Sequence, residues 1–571
     1  MAETTDKWIC RELMSLLKGF GVTTIVASPG SRNAPLLVAA AKEDGMTIIP
    51  VADERSASFI ALGRTAISDR PVGIVCTSGT AVLNYAPAVA EAFYRALPLI
   101  VISADRPSEW IDQDDSQTIH QNGALDNFVK GSYDVDESAT DTDRWYANRM
   151  INDALTLALN GRRGPVHINV RLDSPLGRIT NEVHPSPRRI AMLCPREDLT
   201  VSDAREYGRH LASPRRVMIV AGFLAPSSRL NQALARLAQL PNFVVLTETI
   251  ANLHSPLFIN RIDTTLSQMS DDERRELRPD VVITLGGALV SRHIKEYIRS
   301  LDNVEHWSVG HTHTTVDCFR HLSLRIEMRP EVFFEQLASA MQPHQTPCDY
   351  SRRWELLAHK AEATHQAYVA ASPWSDMKAF ATFMPMIPRD ANLQLSNGTP
   401  VRYAQLFATR DYHRSDCNRG VSGIDGCTST AIGAAMAYPG HTVLVTGDMS
   451  AQYDIGALAY ASFAPRLRII VMRNGGGAIF RFVESTRNLD ILEQYVTHPR
   501  QFPAREIARA YGLDYFEAAD ETALRTVFGK FMGAPRAALL AIDTPAEESA
   551  AVLRDYFNRK SKYSNTKNQQ I

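Results

Sequence analysis

The chain has 571 residues, 45% of them hydrophobic and 22% charged, with a net charge of −2. That length exceeds a single core and suits about three domains, and the near-neutral balance offers no electrostatic case for nucleic acid or an acidic membrane. Seven cysteines, odd in number and without a CxxC pair, argue against a disulfide framework or a zinc site and for a reducing, cytoplasmic setting.

The N-terminal run MAETTDKWICRELMSLLKGFG reads as an amphipathic helix, charged throughout, rather than a signal peptide. No apolar run approaches the ~20 residues of a membrane span. Residues 1–180 alternate strand and helix signals, which predicts an α/β fold with a doubly wound parallel sheet. Strands are read at 22–28, 46–52, 72–78, 99–104 and 166–170, and helices at 34–43, 56–68, 81–96 and 145–159. Ligands in such folds sit at the polar turns beyond strand C-termini. The first turn is Ser28-Pro29-Gly30-Ser31-Arg32-Asn33. There Ser31, Arg32 and a helix N-terminus make a carboxylate or phosphate grip, although an arginine after a turn is most often solvated surface. The second, Asp53-Glu54-Arg55, reads by itself as a helix cap or dipole partner. Ser78-Gly79-Thr80 opens a helix after the third strand. Ala104-Asp105-Arg106-Pro107 ends the fourth, with Ser116-Gln117-Thr118 in the polar loop behind it.

The pattern breaks at a linker around 185–196. A second α/β block follows, with strands at 216–222, 243–249, 281–287 and 305–310 and no GxGxxG dinucleotide fingerprint. Gly286-Gly287 leads to Arg292. His311 and His313 stand two apart without a third ligand, so no zinc site is read there. A second polar, proline-containing linker is predicted at 335–355. Beyond it a strand at 392–398 turns toward Arg402. Asn418-Arg419-Gly420 and Gly423-Ile424-Asp425-Gly426 then open a helix at 428–437. Next comes a strand–helix–strand unit: a buried strand at 441–448 ending in Gly447-Asp448, a helix at 451–461, and a strand at 466–472 leading to Asn474 and three glycines. In an open parallel sheet the carboxylate and the amide face one crevice. Asp448, the Asn474 carbonyl and a backbone carbonyl of the glycine run are oxygen ligands of the kind a hard cation takes, with phosphates as further ligands. Helix N-terminal amides near Ser450 suit a diphosphate. The tail 558–571 is polar and basic and reads as disordered.

This spacing resembles the metal–diphosphate motif of thiamine-diphosphate (ThDP) enzymes, Gly-Asp followed by Asn, with Asp448 and Asn474 here 26 positions apart. Met449 and Arg473 depart from the glycine and asparagine usual beside them. SPGSRN, DERSASFIALGRT, TSGTAV, ADRP and the Gln117 loop, in that order, extend the resemblance over essentially the whole chain. They are similar to one ThDP family, the 2-succinyl-5-enolpyruvyl-6-hydroxy-3-cyclohexene-1-carboxylate synthases (MenD synthases) of menaquinone biosynthesis. The resemblance implies three doubly wound parallel-sheet α/β domains: pyrimidine-binding at 1–185, central at 195–340 and diphosphate-binding at 355–557. It implies thiamine diphosphate and Mg²⁺ (or Mn²⁺), the metal on Asp448, Asn474 and the Gly476 carbonyl. Ser78, Met449 and Ser450 then contact the cofactor, Ile424 supports its bent form, and Ile479 and Phe480 wall the pocket. Glu54 also changes meaning, since the family's glutamate in a dry pocket keeps aminopyrimidine N1′ protonated and so makes the 4′-amino group a base.

The implied reaction is decarboxylation of 2-oxoglutarate and 1,4-addition of the succinyl carbanion to isochorismate, in a homodimer or homotetramer with active sites at the subunit interface. The cofactor is the electron sink, whereas the carboxylates of both substrates call for cations. Ser31, Arg32, Arg106, Arg292, Arg402 and Arg419 lie at or near turns where such cations belong, none assigned to a particular carboxylate. Gln117 suits a hydroxyl of isochorismate or the intermediate. Gly398 stands where the family often has serine. Two other readings stay open. A ThDP enzyme acting on pyruvate has no need of the Ser31-Arg32 turn or the arginine set. A ThDP-binding protein without turnover predicts loss of Glu54 or Asp448, and both are present.

Overall fold

A computed structural model of the chain describes residues 3–137, 140–182, 185–212, 214–341, 347–407, 412–497 and 502–558. Its frame is three parallel sheets. The first has six strands in the order Thr47–Pro50, Thr24–Ala27, Val72–Cys76, Leu99–Asp105, Val166–Arg171, Ser132–Asp136. The second has five, Phe243–Thr247, Val217–Ala221, Val281–Leu285, Glu305–Val309, Leu322–Ile326. The third has six, Arg414–Cys417, Asn392–Leu395, Thr442–Gly447, Leu467–Arg473, Ala538–Asp543, Asp514–Ala518. Inner strands such as Val72–Cys76 and Leu99–Asp105 are buried along their whole length. Helices cover both faces, which is why these strands are continuous β-branched runs rather than alternating ones. Pro50, which cannot donate to a ladder, lies in an edge strand, as its chemistry requires.

Among the described residues, those within 1–195, 418–442 and 453–467 form one compact unit, and those within 196–417, 443–452 and 468–571 form another. The first holds the first sheet and also the helix Cys427–Ala437, which packs on Glu54–Ser68. Two glycines permit that crossing. A Cβ on Gly63 would stand 1.9 Å from the Thr430 carbonyl oxygen, and one on Gly433 1.9 Å from that of Ile60. The backbones touch, and no larger residue fits.

Three local expectations change. The segment 335–355 is mostly helical: Pro330–Ala340 and Tyr350–Ala371 enclose a short connection whose residues 342–346 lie outside the described set. Pro347 sits in that connection, and the exposed polar residues Ser339, Arg352 and Glu355 belong to the two helices. The helix read at 451–461 is an α-helix, Asp448–Tyr453, followed by a 3₁₀ helix, Ile455–Phe463. The break falls at Asp454, whose buried side chain accepts from Ser429 N (2.7 Å) and Ser429 Oγ (2.8 Å) instead of lying along a helix surface. The helix read at 81–96 divides into Ala81–Asn84 and Ala86–Tyr94 ahead of Pro87, where the missing N–H is tolerated only in a first turn. The tail 559–571 lies outside the described residues. None of the seven cysteines, all among the described residues, forms a disulfide, and no described helix is long and apolar enough to cross a membrane.

Candidate functional site

In the first compact unit the polar turns gather at the C-terminal edge of the first sheet. Arg32 is buried (8% exposed) and donates from Nη1 to the Leu172 carbonyl at 2.8 Å. Arg106 begins the turn after Leu99–Asp105 and pairs with Asp115. Arg32 and the turn of Arg106 meet at Leu172, whose carbonyl accepts from Arg32 and whose N–H donates to the Asp105 carbonyl at 2.9 Å, one position before Arg106. Burial first, then the charge of Arg106, lowers Arg32 from its ordinary value against the pull of Asp173, Asp115 and Asp105. Two cations held together are an anion-binding arrangement. Ser31 is exposed beside them. Gln117, held at φ 59, donates from Nε2 to the carbonyl of buried Ser78 at 3.1 Å.

Gln121, which belongs to no motif, pins this loop. Its Oε1 accepts from Gly79 N at 2.7 Å, and its Nε2 donates to Asn169 Oδ1 at 3.0 Å and to the Ala104 carbonyl at 3.2 Å. Glu54 is half-buried at the first position of its helix, with Asp53 as cap accepting from Arg55 N at 3.0 Å. Burial, and after it the Glu54 carboxylate, raises the Cys76 thiol, so Glu54 lies close to the end of Val72–Cys76. Its neighbours are fixed on both sides, Ala52 N donating to Tyr460 Oη at 2.7 Å and Arg55 Nη2 to the Tyr453 carbonyl at 3.0 Å. Arg419 and Ile424 belong to this unit too. The turn carrying them is clamped by Glu91, fully buried, which accepts from Gly420 N at 2.8 Å and Val421 N at 2.7 Å. A glutamate inside an alanine-rich helix carries no sequence signal for that task.

The second unit holds the acidic strand ends. Asp448 begins the helix Asp448–Tyr453 and is 5% exposed. Its Oδ1 accepts from Met449 N at 2.7 Å and its Oδ2 from Gly476 N at 2.9 Å. Burial raises its carboxyl, opposed by the Gly476, Met449 and Gly475 amides and by Arg481. Gly475, Gly476 and Gly477 all have positive φ (79°, 77°, 43°), the left-handed conformation that glycine adopts without strain, and this turns the Gly476 amide onto Asp448. The Gly476 carbonyl accepts from Arg481 Nη1 at 3.1 Å and keeps a second lone pair. Asn474 is buried and donates from Nδ2 to Asp376 Oδ2 at 2.8 Å. Arg473, where the motif resemblance expects asparagine, forms a two-bond pair with Asp543 (2.6 Å each). Ser450 is buried, while Met449, Ile479 and Phe480 are half-buried. Arg402 is half-buried near Asp263, whose carboxyl burial raises and His293, Ser291 and Arg402 lower. Arg292 is exposed at the start of the helix Arg292–Arg299. His311 pairs with Glu197 at 2.9 Å.

A carboxylate, an amide oxygen and a backbone carbonyl form an all-oxygen donor set with a single charge. That chemistry fits a hard divalent cation sharing its coordination with a diphosphate, so the residues present fit the metal–cofactor group.

The model of the thiamine pyrophosphate enzyme N-terminal TPP-binding domain matches residues 9–124. The middle-domain model of thiamine pyrophosphate enzymes matches 203–393, and the C-terminal TPP-binding domain model matches 398–542. A 2-succinyl-5-enolpyruvyl-6-hydroxy-3-cyclohexene-1-carboxylate synthase of Porphyromonas gingivalis is 40% identical over 565 residues, covering 97% of this chain and 98% of that protein. Proteins of the same name from Bacteroides fragilis (36%, covering 97% and 99%) and Flavobacterium johnsoniae (35%, covering 96% and 98%) are similar at full length. With relatives at this identity over both full lengths and all three domain models matched in order, the chain belongs to the 2-succinyl-5-enolpyruvyl-6-hydroxy-3-cyclohexene-1-carboxylate synthase family of thiamine pyrophosphate enzymes.

Proposed function

We propose that the protein joins 2-oxoglutarate and isochorismate, with loss of CO₂, to give 2-succinyl-5-enolpyruvyl-6-hydroxy-3-cyclohexene-1-carboxylate. The observation that carries this choice of substrates is that Arg32 and the Asp105-Arg106 turn both meet Leu172 at the strand edge that also holds Ser78 and Gln117. A pocket for pyruvate needs one cation, whereas these substrates bring four carboxylates, and planar guanidinium groups bind them in pairs of hydrogen bonds.

When bound, thiamine diphosphate supplies the electron sink for decarboxylation and carbon–carbon bond formation. The chain's own residues do the rest. Asp448, Asn474 and the Gly476 carbonyl would hold Mg²⁺ or Mn²⁺, and helix N-terminal amides near Ser450 would take the diphosphate, with the Met449 side chain beside them. Glu54 holds a proton at the pyrimidine ring nitrogen. Ser78 supports that ring, Ile424 its bent form, and Ile479 and Phe480 exclude water. Ser31, Arg32, Arg106, Arg292, Arg402 and Arg419 orient substrate carboxylates, and Gln117 donates to a substrate oxygen. The first domain (1–185) carries the pyrimidine side and the third (355–557) the diphosphate side, and two copies complete each site. The test is a spectrophotometric assay with ThDP and Mg²⁺. Isochorismate absorbance should fall only when 2-oxoglutarate is present. Turnover of pyruvate instead of 2-oxoglutarate would refute the substrate reading, and turnover of neither would refute the enzyme reading.

A further inference from the structure

Of the three proposed metal ligands, Asn474 is the one whose donor atom needs choosing. A carboxylate and a peptide carbonyl offer oxygen whatever their neighbours do. A side-chain amide offers oxygen on one edge and NH₂ on the other, and a half-turn exchanges them. An NH₂ group turned toward a cation contributes nothing.

The neighbour that makes the choice is Asp376, the first residue of the helix Asp376–Phe383 and 1% exposed. Its Oδ2 accepts from Asn474 Nδ2 at 2.8 Å, and its Oδ1 accepts from Thr544 Oγ1 at 2.5 Å. Its backbone N donates to Ser549 Oγ at 3.0 Å, which fixes the start of the helix. Arg473 and Asp543 are register partners at the ends of neighbouring parallel strands. Asn474 and Thr544 are therefore the next positions on the two strands, and one carboxylate captures both side chains. A carboxylate has only acceptors to offer, so the amide turns its NH₂ toward Asp376 and its oxygen away. A carboxylate buried this deeply persists only where donors satisfy it, and one of the side chains that donate to it is the proposed ligand itself.

We propose that Asp376 is the positioning residue that selects the oxygen edge of Asn474 for the metal and thereby sets divalent-cation affinity. This rests on the reading of Asn474 as a ligand. Outer partners of this kind are worth about 10- to 100-fold in metal affinity.

The readout is Mn²⁺ binding to the full chain in the presence of ThDP, followed by loss of the electron paramagnetic resonance signal of free Mn²⁺, without recourse to turnover. Asp376→Leu should weaken binding by about 10- to 100-fold. Asp376→Asn should bind nearly as the native chain does, because its amide oxygen accepts from Asn474 while its NH₂ donates to Thr544 Oγ1. Adding Asn474→Asp to Asp376→Leu should recover most of the loss, since a carboxylate presents oxygen on either edge. Because the added charge attracts Mn²⁺ by itself, Asn474→Asp in the native background is the reference. An equal gain in both backgrounds means a role in packing alone, whereas edge selection gives a larger gain beside Asp376→Leu. Should Asp376→Leu not fold, Thr544→Val, nearly isosteric, removes only one buried hydrogen bond from the same carboxylate and should weaken Mn²⁺ binding in a chain that still folds. Native affinity in folded Asp376→Leu or in Thr544→Val, or a double variant as weak as the single, overturns the proposal. Asn474→Ala separates the two levels: unchanged affinity there removes the ligand reading itself, whereas a loss there beside native affinity in Asp376→Leu removes only the role of Asp376.

Discussion

Glu54 shows how one residue changes meaning with its surroundings. Behind Asp53 it is an ordinary first-turn acid, yet the end of Val72–Cys76 and the fixed flanks at Ala52 and Arg55 leave it half-buried at the strand edge where the polar turns gather. Glu54→Gln should lower turnover by about 10²- to 10⁴-fold, the range for a positioned proton-transfer group, while calorimetry finds Mg–diphosphate binding unchanged. Retained turnover would remove the proton-holding role. Asp454 gives a pH prediction. It is fully buried, and burial lifts its carboxyl from 3.8 to about 6, with Ser429 and Arg55 pulling it down and Asp53 pushing it up. Its stabilising contribution is complete below pH 3.8 and is lost as pH rises through 6, leaving a cost of about 3 kcal/mol once it is ionised. Asp454→Asn keeps an acceptor for Ser429 N and a donor for Ser429 Oγ. Melting curves from pH 5 to 8 should therefore decline less for the variant than for the native chain. The acid and amide of the metal motif were legible because their spacing matches two adjacent strand ends. Asp376, Glu91 and Gln121 were not, because each acts through a partner 42 to 330 positions away, and a linear pattern records no such distance.

At the scale of elements, the buried strands were legible to within a few residues, since β-branched runs between turn residues leave few alternatives. Helix lengths were less so. Asp454 leaves its helix to reach Ser429, and Tyr85 separates two short helices ahead of Pro87. In both cases a tertiary or proline constraint overrides local propensity. The crossing of Glu54–Ser68 over Cys427–Ala437 depends on glycine at the contact. Gly63→Ala would place a methyl 1.9 Å from the Thr430 carbonyl oxygen, so the helices must separate. The expected cost is about 1–3 kcal/mol, as for other overpacked cores. Thermal denaturation reads it, and an unshifted midpoint would mean that the crossing is looser than described. Because Glu54 begins one of these helices, the same variant should lose activity beyond its loss of stability.

For the whole molecule, cofactor binding and folding are linked. A ligand at 100 times its Kd adds about 2.7 kcal/mol to stability. Chelating the metal from the ThDP complex should therefore lower the melting temperature, and Asp448→Asn should abolish that response. A melting temperature indifferent to chelator would count against the metal site. If two copies complete each site, Glu54→Gln and Asp448→Asn chains, inactive separately, should regain turnover when their subunits are exchanged, because one site in a mixed dimer then has both native groups. No recovery after exchange, with mixed oligomers verified by native mass spectrometry, would place both groups in the same copy.

The first compact unit includes 418–442 and 453–467, segments that sequence order assigns to the last domain. Recombination or design that treats the three family domains as interchangeable cassettes therefore cuts through a shared interior. A graft replacing everything after residue 355 would exchange the Gly433 face that Ile60 rests on and both amides that Glu91 holds. The central sheet is tied in as well, because within the second unit Thr249 N donates to Gln405 Oε1 at 3.1 Å and Asn252 Nδ2 to the Ser415 carbonyl at 2.9 Å. Chimaeras should lose stability at each family-domain boundary, and the two terminal regions should accumulate compensating substitutions as a pair.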